Sequence, residues 1–254
     1  MLTGRVSPVL SGLKMIRSLN VSSNSFSGDL LELGGFPNLI VFNVSNNSFT
    51  GMLNSQIWSA SNGTEILDLS MNNFAGNLQG LDNCSSTIKE LHVDVNSLSG
   101  HLPGELPNVL GNLTNLQFFI ANSNFFSGPL PLSLALCLKI HVLDLRNNSL
   151  TDSIDLNFTG LPSLGMLVLA RCYQCKNVTT LILAVNFIGE EIPKNVIGFE
   201  SLMVLGIGYC GLKGHIPVWL SSCKKLHVLD LSWNHLDGKI PPWIGLMENL
   251  FYLD

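Results

Sequence analysis

A short pattern recurs along the chain at a nearly constant interval. Each copy has two apolar residues flanking a variable one, then a polar anchor residue, then an apolar residue and glycine, as in FNVSNNSFTG from Phe42 and LDLSWNHLDG from Leu229. Successive anchors are separated by 23, 25, 24, 28, 24, 38, 24 and 24 residues. A period of about 24 residues predicts a solenoid in which each copy forms one coil. The nine anchors are Asn24, Asn47, Asn72, Asn96, Asn124, Asn148, Asn186, Cys210 and Asn234.

The residue types of the repeat indicate how one coil is built. Apolar residues at alternate positions, such as Leu143 and Leu145, suit the buried face of a short strand. Stacking would pair these strands into a parallel sheet on the concave face, and the anchor amide would satisfy backbone groups at the bend. Cys210 fits the same slot because the leucine-rich repeat consensus allows asparagine or cysteine there. We therefore predict a leucine-rich repeat solenoid of the α/β type, with about nine to ten repeats.

The long interval and the two ends depart from the period. Residues 1–17 hold only a partial first repeat without a recognisable cap, and residues 18–254 form the solenoid. The 38-residue interval contains a partial copy, LVLARC from Leu167, whose anchor would be Cys172. The step to the next copy would then be too short for a full coil, so we expect irregular structure at 171–178. Leu253 falls in register with a further strand, so the solenoid is expected to be truncated at the C-terminus.

Composition excludes several classes of protein. Charged residues are 12% and the net charge is −5, whereas disordered chains are rich in charge and poor in apolar residues. The acidic balance and the absence of a basic stripe argue against a nucleic-acid partner. No run of apolar residues is long enough to span a bilayer, and no signal peptide is visible.

Two motifs resemble functional sites without their usual context. The glycines of Gly206–Gly211 spell GxGxxG, but HIP follows at 215–217 instead of the helix that a dinucleotide site needs. Cys172 and Cys175 form one CxxC, which no second cysteine or histidine pair completes into a metal site. A local disulfide and two free thiols both remain open for that pair. Sequence therefore predicts no catalytic residues, no metal and no cofactor.

Nine Asn-x-Ser/Thr sequons suit a secreted, glycosylated surface, although some arise from the repeat consensus itself. They lie at Asn20, Asn43, Asn46, Asn62, Asn83, Asn112, Asn147, Asn157 and Asn177.

Several segments carry a family resemblance. Copies continue as Gly-x-Ile/Leu-Pro, for example GPLP at Gly128 and GKIP at Gly238, which is similar to the plant-type extracellular leucine-rich repeat superhelix. The segments NLQFFIANSNFFSGPLPLSLA, VLDLRNNSL, CKNVTTLILAVNF and LSSCKKLHVLDLSWNHLDGKIPPWIG resemble the phytosulfokine receptor ectodomain, a part of plant receptor-like kinases.

The resemblance implies a ligand and candidate contacts. That family binds a tyrosine-sulfated pentapeptide hormone at the extracellular face of the plasma membrane, with a co-receptor kinase as a further partner. Arg146 matches a basic hormone contact, Asp230 an acidic one, and Ala184 stands where the family can place threonine. Nothing in the sequence matches the family's island domain, transmembrane helix or serine/threonine kinase, so the chain itself is not expected to be an enzyme.

Two other functions remain open at this point. The chain could be a stand-alone leucine-rich repeat module for protein–protein interaction, of the receptor-like protein or enzyme-inhibitor type. It could also be a truncated product without function.

Overall fold

The computed structural model describes most of the chain as one stack of coils. The described residues are 1–6, 10, 12–30, 36–53, 57–58, 63–78, 80–81, 84, 86–102, 113–130, 137, 139–151, 178–194, 196 and 199–254.

The main sheet has ten parallel strands in sequence order, which confirms the predicted solenoid. In each full three-residue strand the central residue is buried, because it lies on the inner face of the coil. The strand register pairs equivalent positions of successive coils, for example Leu143 with Leu181 and Leu205 with Leu229. The strands are β2 Ser18–Asn20, β4 Val41–Asn43, β6 Ile66–Asp68, β8 Glu90–His92, β10 Phe118–Ile120, β12 Val142–Asp144, β14 Thr180–Ile182, β15 Val204–Gly206, β17 Val228–Asp230 and β19 Tyr252–Leu253.

A second set of short parallel strands follows the anchors on the side of the solenoid. These strands end at or near the glycine of the repeat, and Gly76, for example, has φ +82°, a conformation that a Cβ would resist. They form three separate sheets: β1 Thr3–Gly4, β3 Ser25–Asp29 and β5 Ser48–Thr50; β7 Ala75–Gly76, β9 Ser97–His101, β11 Phe125–Gly128 and β13 Ser149–Leu150; and β16 Lys213–His215 with β18 His235–Asp237.

The break between β13 and β16 has a sequence cause. After Asn186 the glycine comes three residues later, at Gly189, instead of four. Phe187 adopts φ +52° and is fully buried, while Ile188 is pushed out to 88% exposure. In place of a strand, an isolated β-bridge between Glu191 and Lys213 pairs this segment with the next coil.

The anchor side chains lie at the bends and bond to two coils at once. The Asn72 amide donates to the carbonyls of Val44 (3.0 Å), Leu69 (3.3 Å) and Ser70 (3.0 Å). Its Oδ1 accepts the backbone N–H of Phe49 at 3.0 Å. Since Val44 and Phe49 belong to the preceding coil, the amide joins neighbouring coils at the bend, in addition to the backbone hydrogen bonds there. The same pattern, complete or in part, is made by Asn24, Asn47, Asn96, Asn124, Asn148, Asn186 and Asn234.

Cys210 occupies an anchor slot with a smaller set of bonds. Its Sγ lies 3.3 Å from the carbonyl oxygen of Gly208 and 3.7 Å from that of Leu183. A thiol has one weak donor, so it cannot reproduce the amide's bonds. Burial raises the pKa of the Cys210 thiol, which keeps it protonated in the core.

Among the described residues, the convex side has two 3-10 helices, Val218–Ser222 and Pro242–Leu246. Each begins after a proline in extended conformation, Pro217 and Pro241. Trp219 fixes the first helix to the preceding coil, because its Nε1 donates to the Pro193 carbonyl at 2.8 Å.

The 38-residue interval is one step of the main sheet. β12 pairs directly with β14, and the Asn186 amide donates to Leu145 O at 2.9 Å, so no strand lies between them. The partial copy from Leu167, the CxxC of Cys172 and Cys175, and positions 171–177 of the expected irregular segment lie outside the described residues.

Candidate functional site

The concave face presents three columns of side chains that repeat from coil to coil. The middle column holds the third residue of each main strand, and the end column holds the residue two places later. The turn column holds the residue directly before each anchor. Because alternate residues of a strand point the same way, middle and end columns face the same side. These columns carry the variable positions of the repeat, and we take them as the candidate site.

The turn column has a left-handed backbone in every coil. These nine residues have φ between +51° and +58°, although several are not glycine, asparagine or aspartate. Such a conformation costs roughly 1–2 kcal/mol for an ordinary residue, and the anchor bonds hold it in place. The result is a row of side chains that project at the rim: Ser23, Asn46, Met71, Val95, Ser123, Asn147, Val185, Tyr209 and Trp233.

The N-terminal half of the middle column bonds to the end column within each coil. Asp68 Oδ1 accepts the backbone N–H (3.1 Å) and the hydroxyl (2.7 Å) of Ser70. Its Oδ2 accepts from the amide of Asn43 in the preceding coil at 2.9 Å. Next along the column, His92 lies 3.4 Å from Glu90. This half of the face is polar, and Asp68 and Asp94 give it negative charge.

Arg146 lies in the middle of the face on a buried carboxylate. Its Nη2 lies 3.1 Å from Asp144 Oδ2, with side-chain exposures of 51% for Arg146 and 6% for Asp144. Asn122 of the preceding coil donates to the same Oδ2 at 3.2 Å. Among the described residues of the three columns, Arg146 is the only arginine or lysine. The face therefore offers a guanidinium at one place, between an N-terminal half that carries Asp68 and Asp94 and a C-terminal half with several small residues.

Burial governs the protonation of Asp144. Burial raises the pKa of its carboxyl, whereas the backbone N–H and guanidinium of Arg146 and the Asn122 amide act in the opposite direction. The burial effect is the larger one.

The C-terminal half of the face has small residues at several positions of the columns. Ala184, Gly206 and Gly208 occupy successive positions where other coils have larger side chains. A Cβ on Gly206 would lie 3.2 Å from Cγ2 of Ile182, and one on Gly208 would lie 2.8 Å from Oδ1 of Asp230. The side chains of Ile182 and Asp230 therefore already occupy the space that a side chain at 206 or 208 would need, and the glycines accommodate them.

An aromatic ridge lies beside these small residues. Tyr209 and Trp233 stack with ring centroids 4.8 Å apart and an interplanar angle of 23°. They are 55% and 72% exposed. Exposed aromatic rings with polar tips are typical of binding surfaces. The repeat pattern did not single out these two residues, although both stand directly before an anchor.

The residues predicted as ligand contacts share this face. Arg146 lies in the coil of β12, Ala184 in that of β14, and Asp230 in β17. Adjacent strands are about 4.8 Å apart, so Arg146 and Asp230 lie ~14 Å apart across three steps. Asp230 Oδ1 accepts the backbone N–H (3.0 Å) and hydroxyl (2.6 Å) of Ser232. The three candidates line one path and do not form a single pocket.

Four sequons lie among the described residues, and their amides differ in availability. Asn43 is engaged with Asp68 and with Ser45, whose N–H and hydroxyl donate to its Oδ1 at 2.9 and 2.8 Å. Asn46 and Asn147 are exposed in the turn column, and Asn20 is exposed in the middle column. Asn62, Asn83, Asn112, Asn157 and Asn177 lie outside the described residues.

Asp94 of the end column gives a test of the acidic half. Burial is the largest cause that raises the pKa of its carboxyl, and Asp68 and Asp144 raise it further, against the lowering effects of its backbone N–H and His92. A carboxyl with a raised folded-state pKa binds its proton more tightly when folded, so its ionisation opposes folding at neutral pH. We expect Asp94→Asn to raise the urea midpoint at pH 7. This gain should shrink as the pH falls through the raised folded-state pKa of Asp94 and should be lost below the ordinary value of 3.8.

The exposed Asp29 of β3 supplies the matched control, since Asp29→Asn changes the same charge off the concave face. A lower midpoint for Asp94→Asn at pH 7, or a gain that grows on acidification, would contradict the assignment of an unfavourable buried charge.

Within the described ranges, no helix has both the length and the apolar character that a bilayer-spanning segment requires. The same residues contain no group of three or more His, Cys, Asp or Glu side chains placed to bind a metal ion.

Comparison with known sequences agrees with this geometry. The family model described as Leucine Rich Repeat matches residues 139–161 and 225–247. Phytosulfokine receptor 2 of Arabidopsis thaliana is 58% identical over 53 residues, which are 21% of this chain and 5% of the receptor. Phytosulfokine receptor 1 of the same plant is 48% identical over 54 residues, again 21% of the chain and 5% of the receptor. Receptor-like protein 35 of Arabidopsis thaliana is 32% identical over 182 residues, which are 69% of this chain and 17% of that protein.

Solved structures match over nearly the whole chain. The plant peptide hormone receptor RGFR1, in complex with RGF2, has a TM-score of 0.85 and 30% identity, covering 99% of this chain and 38% of that one. The structure of PEPR1 with AtPEP1 has a TM-score of 0.75 and 29% identity, covering 99% and 36%. This chain therefore spans well under half of the length of these receptors.

Proposed function

We propose that this chain, a leucine-rich repeat segment of the plant receptor-like kinase ectodomain family, binds an extracellular sulfated peptide along its concave face. The observation that carries the proposal is the position of Arg146, an exposed cation fixed on the face of a segment that resembles peptide hormone receptors.

Charge supports an anionic ligand group at one place. A guanidinium forms charge-assisted hydrogen bonds with sulfate or carboxylate oxygens, which are stronger than bonds between neutral groups. On the N-terminal side, Asp68, Glu90 and Asp94 would repel an anion. On the C-terminal side, the small residues and the aromatic ridge would admit apolar parts of a peptide. A peptide with an anionic side chain at Arg146 and apolar residues toward Tyr209 and Trp233 fits this distribution.

The path from Arg146 to Asp230 suits an extended peptide. About four residues of extended chain cover ~14 Å at roughly 3.3 Å per residue. Asp230 would accept hydrogen bonds from the far end of the peptide through Oδ2, since both donors of Ser232 bind to Oδ1. A short sulfated peptide, as the phytosulfokine resemblance implies, is therefore long enough, and a co-receptor kinase is proposed as the second partner.

Arg146→Ala tests the proposal. We expect the 254-residue chain to bind a tyrosine-sulfated pentapeptide more tightly than the unsulfated form. Both affinities should be weak, so titration of the peptides followed by NMR is the suitable measurement. Removal of the guanidinium should reduce that preference at least about tenfold, because hydrogen bonds to charged groups contribute roughly 1.5–3 kcal/mol.

Arg17→Ala supplies the control, because Arg17 is exposed, carries the same charge and precedes strand β2 outside the three columns. Equal loss of preference in both variants would indicate a general charge effect. An undiminished preference in Arg146→Ala would refute the role given to Arg146.

A second function is favoured by one observation. The match to receptor-like protein 35 covers 69% of this chain, more than either phytosulfokine receptor match. An ectodomain of that kind, used for protein–protein interaction, is the alternative. The sequence of the complete transcript distinguishes the two, because only the first proposal requires a kinase in the same gene product.

A further inference from the structure

The carboxylate of Asp144, which contacts Arg146, is buried. Among the residues that the structure describes, Asp144 is the only charged residue in the buried class, at 4% exposure. A buried charge is expensive unless it is paired and hydrogen-bonded. The presence of a carboxylate at position 144 therefore calls for an explanation.

Both oxygens of this carboxylate contact Arg146, and one of them also accepts a hydrogen bond from Asn122. Oδ1 accepts the backbone N–H of Arg146 at 3.2 Å. Oδ2 accepts from Arg146 Nη2 at 3.1 Å and from Asn122 Nδ2 at 3.2 Å. Asn122 is itself buried, at 8% exposure, so the amide is a fixed support.

Other coils show that the backbone bond alone needs no charge. Asn20 and Asn43 occupy the same column, and their Oδ1 atoms accept the N–H of Ser22 and Ser45 at 3.0 and 2.9 Å. An asparagine at 144 would make that bond as well. What an asparagine lacks is the second oxygen, which in Asp144 meets the guanidinium. The second oxygen also accepts the amide of the preceding coil, as that of Asp68 does, but of these two carboxylates only Asp144 meets a guanidinium there.

We propose that Asp144 is a positioning residue that holds the Arg146 guanidinium in place for the sulfate or carboxylate of the ligand, with Asn122 as its support. This inference rests on the proposed function. Arginine has five N–H donors, and the contact through Nη2 leaves donors on Nη1 and Nε for an anion. Because the side chain is ordered before binding, less conformational entropy is lost when the anion arrives. Asp144 is thus a determinant of anion selectivity that does not touch the ligand.

Asp144→Asn, compared with Asp68→Asn, provides the test. Both substitutions replace Oδ2 by an amide in the same column, and both lose a bond from the asparagine of the preceding coil, Asn122 or Asn43. Only Asp144 contacts an arginine. We expect the preference of the 254-residue chain for the sulfated over the unsulfated pentapeptide to fall about fivefold in Asp144→Asn, as the ordering cost of one long side chain predicts. It should be unchanged in Asp68→Asn and should not fall further when Asp144→Asn is added to Arg146→Ala.

A second measurement needs no peptide. The Arg146 Nε–Hε signal in NMR reports the order of the guanidinium, and Asp144→Asn should make that group more mobile while Asp68→Asn leaves it unchanged. An unchanged or increased sulfate preference in Asp144→Asn would overturn the proposal, since an increase would mean that Asp144 only neutralises the arginine. If the unsubstituted chain shows no sulfate preference, the proposed function fails, and the Nε–Hε order still decides the positioning role: an undiminished order in Asp144→Asn overturns it.

Discussion

Asn72→Ala is expected to lower the free energy of unfolding by about 3 kcal/mol, because an unpaired buried polar group costs roughly 1–3 kcal/mol. The amide of Asn72 donates to three carbonyls and accepts one N–H, across two coils. Alanine leaves those groups without this partner in a place that water does not reach, since Asn72 is 9% exposed. The loss is not confined to one coil, because Val44 and Phe49 belong to the preceding one.

The neighbouring Asn73→Ala is the matched control. Asn73 is exposed, and its substitution removes the same kind of side-chain amide from the same turn. The free energy of unfolding should therefore change by no more than about 0.5 kcal/mol. Urea unfolding followed by circular dichroism measures both. If the two variants unfold at the same midpoint, the anchor amides do not carry the stability assigned to them here.

The period of the sequence predicted most of the fold because it records which side chains share an environment. The buried leucines, including Leu143 and Leu145, follow from alternation, and the anchor positions follow from the interval. The left-handed residues before the anchors could not be predicted from local preference. Val95 and Val185 are β-branched, and such residues disfavour positive φ. Their conformation is imposed by anchor bonds to another coil, which no local signal contains.

The 38-residue interval shows a different limit. The main sheet crosses this interval in one step, since Leu143 pairs with Leu181, and the partial copy expected at Leu167 lies outside the described residues. Pairing depends on which strands can meet in space, and a fragment of the consensus does not determine that. The same limit applies to the second sheets, which stop where Gly189 is displaced by one residue.

The sequence predicted which face of the solenoid carries the candidate site, but not all of the residues and contacts that form it. Alternation puts Arg146 and Asp230 on the concave face, and the resemblance to peptide receptors selects them from their neighbours. The role of Asp144 depends on its burial and on an amide 22 residues earlier in the chain, so it becomes visible only when the coils are stacked. The aromatic ridge likewise needs two residues from adjacent coils, Tyr209 and Trp233.

Phe126→Ala should strongly destabilise the protein, and the adjacent Phe125 offers a matched control of the same residue type. Phe126 is fully buried, whereas Phe125, the preceding residue of strand β11, is 61% exposed. Position decides between them: the second residue after the anchor points into the core, as Phe49 does after Asn47 and Phe74 after Asn72.

Truncation of Phe126 removes its transfer free energy and leaves a cavity between stacked coils that cannot collapse freely. The expected loss is about 4 kcal/mol, within the range of Phe→Ala substitutions in protein cores. Phe125→Ala should change stability by less than about 0.5 kcal/mol, because its ring already faces solvent. Urea unfolding of the two variants measures the difference, and hydrogen exchange should place the loss in the coils on either side of β11. Similar midpoints for both would mean that the coil is rotated, so that the anchor does not determine which of the two phenylalanines is buried.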